Sequence, residues 1–249
     1  MRAIVHFNSS GPDDALIPIQ YNHLVQASIY SSLNRDMAEF LHDRGFPVDG
    51  RTFRLFTFSR LSGPYRREGP NLRFLGQIAL QISSPVHAVI EELASTWLRT
   101  GSVQIGDARL AVDAVELKPT PEVESSVVVR TLSPVTIYET LHAADGRVKT
   151  YYYAPTEREF GLLCGANAQR KLRALTGRAD DVAPLTIAPA GWRPHRQVIL
   201  DYKGTVIKAW HGAFRLTGPS ELIQLVLDAG LGSKNAQGFG MVEIWEGGR

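Results

Sequence analysis

The chain has a single cysteine, Cys164, which excludes an internal disulfide and any multi-cysteine metal site. Lysine is almost as scarce: six against twenty-one arginines, and none before Lys118. Cationic chemistry in the first half therefore falls to arginine, whose planar fork suits phosphate oxygens, although genome composition alone also enriches arginine. The formal net charge is only +2, so no overall basicity announces a nucleic acid. No apolar run reaches the length that spans a bilayer, and no basic-then-apolar leader precedes the first strand. The expected location is the cytoplasm, with no membrane contact. Histidines at 6, 23, 42, 87, 142, 195 and 211 are scattered, with no His-x3-His and no paired acidic cluster. No metal and no other cofactor is expected. No nucleophile elbow marks a Ser-His-Asp hydrolase, and no Gly-x4-Gly-Lys-Ser/Thr marks a P-loop.

What is there is a 249-residue chain with two similar orders of elements. Residues 2–7 alternate as a strand. Residues 21–34 and 36–44 have helical spacing, the second packing Met37, Phe40 and Leu41. His23, Gln26 and Tyr30 share one face of the first helix. Residues 53–59 read as one strand with Arg54, Phe56 and Phe58 on one side, and residues 62–71 as a loop carrying Arg66 and Arg67. A strand (73–82), a helix (86–98) and a strand pair (103–117, turning near Gly106) complete a β-α-β-β-α-β order. Pro119 and Pro121 mark a boundary, giving expected domains of residues 1–120 and 125–249. The second half starts with a strand at 126–131, a strand pair around Asp145-Gly146 and a helix over 156–176. Strands at 198–202 and 206–216 follow, the latter with Val206, Trp210, Phe214 and Leu216 inward and His211 and Arg215 outward. A helix (219–229), a glycine-rich loop and a strand (241–245) close the chain. The fold class is α+β: two tandem ferredoxin-like (RRM-like) domains, antiparallel sheets with helices on one face.

That fold hosts many activities, single-strand RNA binding among them, so chemistry has to come from particular residues. Gly230, Gly232, Gly238 and Gly240 bracket Lys234 and Asn235. Four glycines so close together imply positive φ angles or close backbone approach, and N–H groups beside a lysine suit phosphate. A mobile loop before a terminal strand is the competing reading. RNA carries its own nucleophile, so cleaving it needs only proton transfer and charge stabilisation at one phosphate. Tyr30, His42 and Arg54 can supply these roles. They read equally as an amphipathic tyrosine, a surface histidine near a helix end and a solvated arginine, and composition does not choose.

The chain resembles the CRISPR-associated repeat-processing endoribonucleases. The resemblance runs through Ile17-Pro-Ile-Gln-Tyr-Asn-His23, Leu41-His42-Asp43, Arg54-Leu-Phe-Thr-Phe-Ser59, Thr131-Leu-Ser-Pro134, Ala209-Trp-His-x-x-Phe-Arg215 and the loop from Gly230 to Gly240. It implies metal-independent cleavage of CRISPR repeat RNA by 2′-hydroxyl attack, leaving a 2′,3′-cyclic phosphate and a 5′-hydroxyl. The family's tyrosine falls on Tyr30 and its histidine on His42. Its lysine falls on Arg54, a departure that keeps the charge but not a readily donated proton. The implied RNA contacts are the glycine loop (Gly230, Gly232, Lys234, Asn235, Gly238, Gly240) with Arg66, Arg67, Arg193, Arg196, Lys203 and Lys208. Implied partners are repeat RNA, CRISPR effector-complex subunits and a second copy of the chain. A non-catalytic repeat-RNA-binding subunit is the alternative function, and a small-molecule-binding ferredoxin-like protein a third.

Overall fold

The computed structural model describes residues 1–9, 15–142, 146–178, 182–191 and 194–246. The loop expected at Gly11-Pro12-Asp13-Asp14, the turn residue Asp145 and the candidate contact Arg193 lie outside the described residues. In the first half the strands are β1 (Arg2–Ser9), β2 (Leu16–Pro18), β3 (Phe46–Val48), β4 (Arg51–Phe53), β5 (Thr57–Phe58), β6 (Tyr65–Glu68), β7 (Asn71–Phe74), β8 (Ile78–Ser83), β9 (Ser102–Ile105) and β10 (Ala108–Lys118). Helix α1 (Asn22–Ser32), helix α2 (Arg35–Glu39) with a wider turn over Phe40–Arg44, and helix α3 (His87–Thr100) lie between them. The second half has β11 (Ser126–Thr131), β12 (Tyr138–His142), β13 (Val148–Tyr152), helix α4 (Arg158–Thr176), β14 (Thr186–Ala190), β15 (Arg196–Tyr202), β16 (Thr205–His211) and β17 (Ala213–Thr217). Helix α5 (Ser220–Ala229), a 3-10 turn over Asn235–Gln237 and β18 (Val242–Ile244) end it. No described helix is long and apolar enough to cross a membrane.

The two main sheets have the same topology. The first runs β5-β8-β1-β10-β9 and the second β14-β17-β11-β18. Numbered within each half, both read 2-3-1-4, the ferredoxin-like order, with β9 as an extra edge in the first. Alternation drives this: Ala3, Val5 and Phe7 of β1 are fully buried and join Val25 and Ile29 of α1 and Ile90, Leu93 and Trp97 of α3 in one core. The second core joins Val129, Phe214, Leu216 and Val242 to Phe160, Cys164 and Ala168 of α4 and the apolar face of α5. Gly161 and Gly165, one turn apart, let α4 lie against β14; a Cβ on either would stand 2.4 Å from a β14-side carbonyl.

Four expected elements differ, and the second sheet gains a strand that the sequence did not announce. Residues 53–59 are not one strand, because Leu55 adopts a positive φ of 51°. That break sends Leu55 into the second core while Phe56 and Phe58 enter the first, so this short segment stitches the halves together. Residues 73–82 split at Leu75-Gly76-Gln77 into β7 and β8. Residues 62–71 contain β6, which pairs with β7, so Arg66 and Arg67 stand on a hairpin strand. Residues 206–216 split at Gly212, because only β17 belongs to the main sheet while β16 pairs with β15 in a separate hairpin. Val206 is correspondingly exposed, whereas Trp210, Phe214 and Leu216 are buried. The sheet's own second strand is β14, a short edge strand containing Pro189, which has little of the expected alternation.

Candidate active site

A cleft of about 710 Å³ opens between the halves. One wall is the polar face of α1, with His23, Gln26 and Tyr30, extended by His42 on the Phe40–Arg44 turn. Arg54, Leu55 and Phe56 line it next, and α4, Tyr138, Lys203 and the glycine loop form the opposite side. Tyr30, His42 and Arg54 therefore meet. The rings of Tyr30 and His42 lie edge to face with centroids 5.7 Å apart, and Phe56 backs Tyr30 at 5.9 Å. The Arg54 guanidinium donates to the His42 carbonyl at 2.6 Å and to the Thr52 carbonyl at 3.2 Å. His42 is exposed, and its Nδ1 lies 2.6 Å from Asp43 Oδ1. That contact occupies Nδ1, so any proton transfer by the ring falls to Nε2. Burial raises the Tyr30 pKa, and the neighbouring Arg54 pulls it partly back, so the hydroxyl keeps its proton near neutrality.

The glycine loop is held by the first half rather than left mobile. Asn22 Nδ2 donates to the carbonyls of Gln237 and Gly238, and Gln26 Nε2 to that of Ala236 at 2.7 Å. Thr57 Oγ1 donates to the Phe239 carbonyl at 3.1 Å. Gln26 also meets the Tyr202 hydroxyl, tying the β15–β16 hairpin to the same helix. All four loop glycines have positive φ, and their open side is filled by protein: a Cβ on Gly240 would stand 1.9 Å from the Leu231 carbonyl oxygen. Asn235 is buried and donates to the Leu231 and Phe239 carbonyls. The part of the loop turned to the cleft is Ser233 to Gln237, where Lys234 has its ammonium 5.0 Å from the Tyr138 ring centre.

Of the other expected contacts, Lys203 lines the cleft at the tip of the β15–β16 hairpin. Lys208 and Arg196 are exposed on that hairpin, outside the cleft. Arg66 is paired with Glu68, and Arg67 donates to the Gly69 carbonyl, so neither belongs to the cleft. His211 is partly buried with Nδ1 3.1 Å from Thr131 Oγ1, which brings two of the sequence motifs into contact. Burial, then Arg196 and Arg60, push its pKa down to about 4. Lys171 went unnoticed in the sequence. It is buried, and its Nζ donates to the carbonyls of Gly230 (2.7 Å) and Gly232 (3.0 Å). Burial lowers its pKa to about 7 and raises that of the Cys164 thiol to about 12. The available signal was its position on the apolar stripe of α4, with Phe160, Cys164, Ala168 and Leu172. Among the described residues, no group of three or more His, Cys, Asp or Glu side chains could hold a metal ion.

The fold and cleft define a tandem ferredoxin-like protein in which a buried glycine loop of the second half docks on the first helix of the first. The chain belongs to the CRISPR-associated Cas6 family: the model for the Cas6 C-terminal part matches residues 117–244, and that for the N-terminal part matches residues 16–116. It is 27% identical over 237 residues to CRISPR-associated endoribonuclease Cas6 1 of Methanocaldococcus jannaschii, covering 91% of this chain and 87% of the relative. It is 26% identical over 252 residues to CRISPR-associated endoribonuclease Cas6 of Pyrococcus furiosus, covering 98% and 90%. Similar solved structures include the product of a Cas6-related gene from Pyrococcus furiosus, at TM-score 0.85 and 21% identity over 99% and 98% of the chains. Another is described as a RAMP protein binding different RNA substrates, at TM-score 0.82 and 20% identity over 99% and 100%. These structures share the double fold.

Proposed function

We propose that the chain is a metal-independent endoribonuclease that cuts CRISPR repeat RNA in precursor transcripts in the cytoplasm. The observation that carries this reading is the convergence of Tyr30, His42 and Arg54 at one cleft between the halves. Domain 1–120 supplies these three residues and domain 125–249 the glycine loop. In the reaction the 2′-oxygen attacks the adjacent phosphorus, the 2′-hydroxyl proton leaves, the P–O5′ bond breaks and O5′ is protonated. The products are a 2′,3′-cyclic phosphate and a 5′-hydroxyl. His42 carries one of the two proton transfers through Nε2, with Asp43 fixing ring orientation at Nδ1. Tyr30, kept protonated, donates a hydrogen bond to the phosphate, and Arg54 acts as a fixed positive charge. Lys234 and Lys203 hold flanking phosphates in the cleft, and Lys208 and Arg196 extend that track along the hairpin. Effector-complex subunits and a second copy of the chain are further partners in this reading.

The test is single-turnover incubation of the purified protein with repeat RNA in EDTA. The expected result is cleavage with a cyclic phosphate at the new 3′ end, its loss in His42→Ala with binding retained, and a rate about 10- to 100-fold lower in Arg54→Ala. RNA bound but left intact by the wild-type protein would favour the non-catalytic subunit. Unchanged cutting by His42→Ala would remove that residue from the site.

A further inference from the structure

Lys171 is an anomaly of charge. It is 2% exposed, on the helix face that builds the second core, yet it is one of the residues lining the cleft. Two of its three N–H donors go to the Gly230 and Gly232 carbonyls, which bracket the turn leading to Lys234. No described carboxylate neutralises it. Cys164 on its own helix stays a neutral thiol, and Asp228 on the neighbouring α5 is ion-paired with the Met1 ammonium at 2.8 Å and accepts from Thr120. Across the cleft stand Tyr30, His42 and Arg54, and from the loop and the hairpin come Lys234 and Lys203, so the surroundings add positive charge. A buried ammonium without an anion is strongly unfavourable, because the low-dielectric interior returns little of its lost hydration. Two backbone carbonyls alone do not offset that loss. An anion in the cleft would.

Resting on the function proposed above, we infer that Lys171 is a positioning residue for the RNA. It pins the glycine loop from beneath, and a phosphate of the bound RNA supplies its missing counter-charge. Loop geometry and RNA occupancy are thereby coupled through one buried cation. The depressed pKa of about 7 in the free protein agrees with this, since it marks a charge left uncompensated. A phosphate in the cleft raises that value, so RNA binding draws a proton onto Lys171 when the solution is near or above neutrality. The sign follows from linkage: affinity is full below about pH 7 and declines as pH rises through the value in the complex.

With only six lysines, selective 13Cε-lysine labelling resolves each side chain. The titration of the Lys171 resonance is followed in the free protein and in the complex with unmodified repeat RNA, on His42→Ala protein so that the RNA stays whole. The expected result is a resonance that titrates near neutrality when free and at least ~1 pH unit higher in the complex. That shift corresponds to ~10-fold tighter RNA binding to the protonated form. Lys171→Met should weaken binding by about that factor at pH 6.5 and remove the proton uptake seen by calorimetry in buffers of different ionisation enthalpy. Lys171→Arg should restore the affinity without the uptake. An unmoved midpoint in a protein that binds RNA overturns the role of Lys171 alone, as does an unchanged Kd in folded Lys171→Met. Absence of RNA binding by the wild-type protein would overturn the endoribonuclease reading with it. Because the resonance is read without substituting Lys171, misfolding of Lys171→Met leaves the test intact.

Discussion

Two histidines on the same chain meet opposite fates, and burial decides them. His42 is exposed on a turn that lines the cleft, with its Nδ1 held by Asp43. His211 is enclosed against Thr131, Arg60 and Arg196, where protonation is disfavoured to about pH 4. Its folded value lies below its unfolded one, so the unfolded chain takes up the proton first as pH falls. Stability from this residue is full above about pH 6.5 and is lost progressively down to about pH 4, by about 3 kcal/mol at most. Urea unfolding at pH 7 and pH 4.5 should therefore show a smaller acid-induced loss in His211→Gln than in the wild type. Equal losses would place the titration elsewhere. Tyr30, His42 and Arg54 stood out as candidates through the motifs that carry the family resemblance, where composition alone left them open. Lys171 did not, because a single lysine on an apolar stripe reads as a side chain that reaches out to water until the helix is packed.

The glycine loop makes the same point for an element. Its composition suggested either mobility or backbone exposed to a phosphate. The structure shows a third cause: Asn22, Gln26 and Thr57 from the first half bind its carbonyls, and the glycines leave room for that contact. Adding one methyl should separate this cause from simple turn geometry. At Gly204, in a hairpin tip with no heavy atom within 4 Å, alanine meets only a positive φ of 79°, a cost of about 1 kcal/mol. At Gly240 the same change drives Cβ onto the Leu231 carbonyl, and about 3–5 kcal/mol is expected. Denaturation midpoints of the two variants measure the contrast, and similar losses would show that the loop relaxes freely. The β6–β7 hairpin, and the placement of β15–β16 outside the main sheet, were harder to foresee. Their strands pair outside the main sheets, so an alternation that elsewhere signals burial here leaves Val206 and Ile199 in water.

For the whole molecule, the two halves are repeats of one topology that share an interface rather than beads on a linker. Leu55 from the first half is buried in the second core, Thr57 Oγ1 donates to the Phe239 carbonyl, and Arg2 reaches the Val242 carbonyl at 2.7 Å. Such cross-contacts predict one cooperative unfolding transition. Calorimetric and van't Hoff enthalpies should agree, and two resolved transitions would show that the halves unfold independently. The sequence by itself determined the class of fold, the β-α-β-β-α-β order in each half and the motifs that carry the family resemblance. It could do so because helical and strand periodicities, turn residues and short motifs are local. Tertiary structure alone decided that Leu55 breaks its strand to join the halves, that β14 rather than β15 completes the second sheet, and that Lys171 is buried beneath the glycine loop. Those outcomes depend on which surfaces exclude water from one another, and that is settled by contacts between residues far apart in the chain.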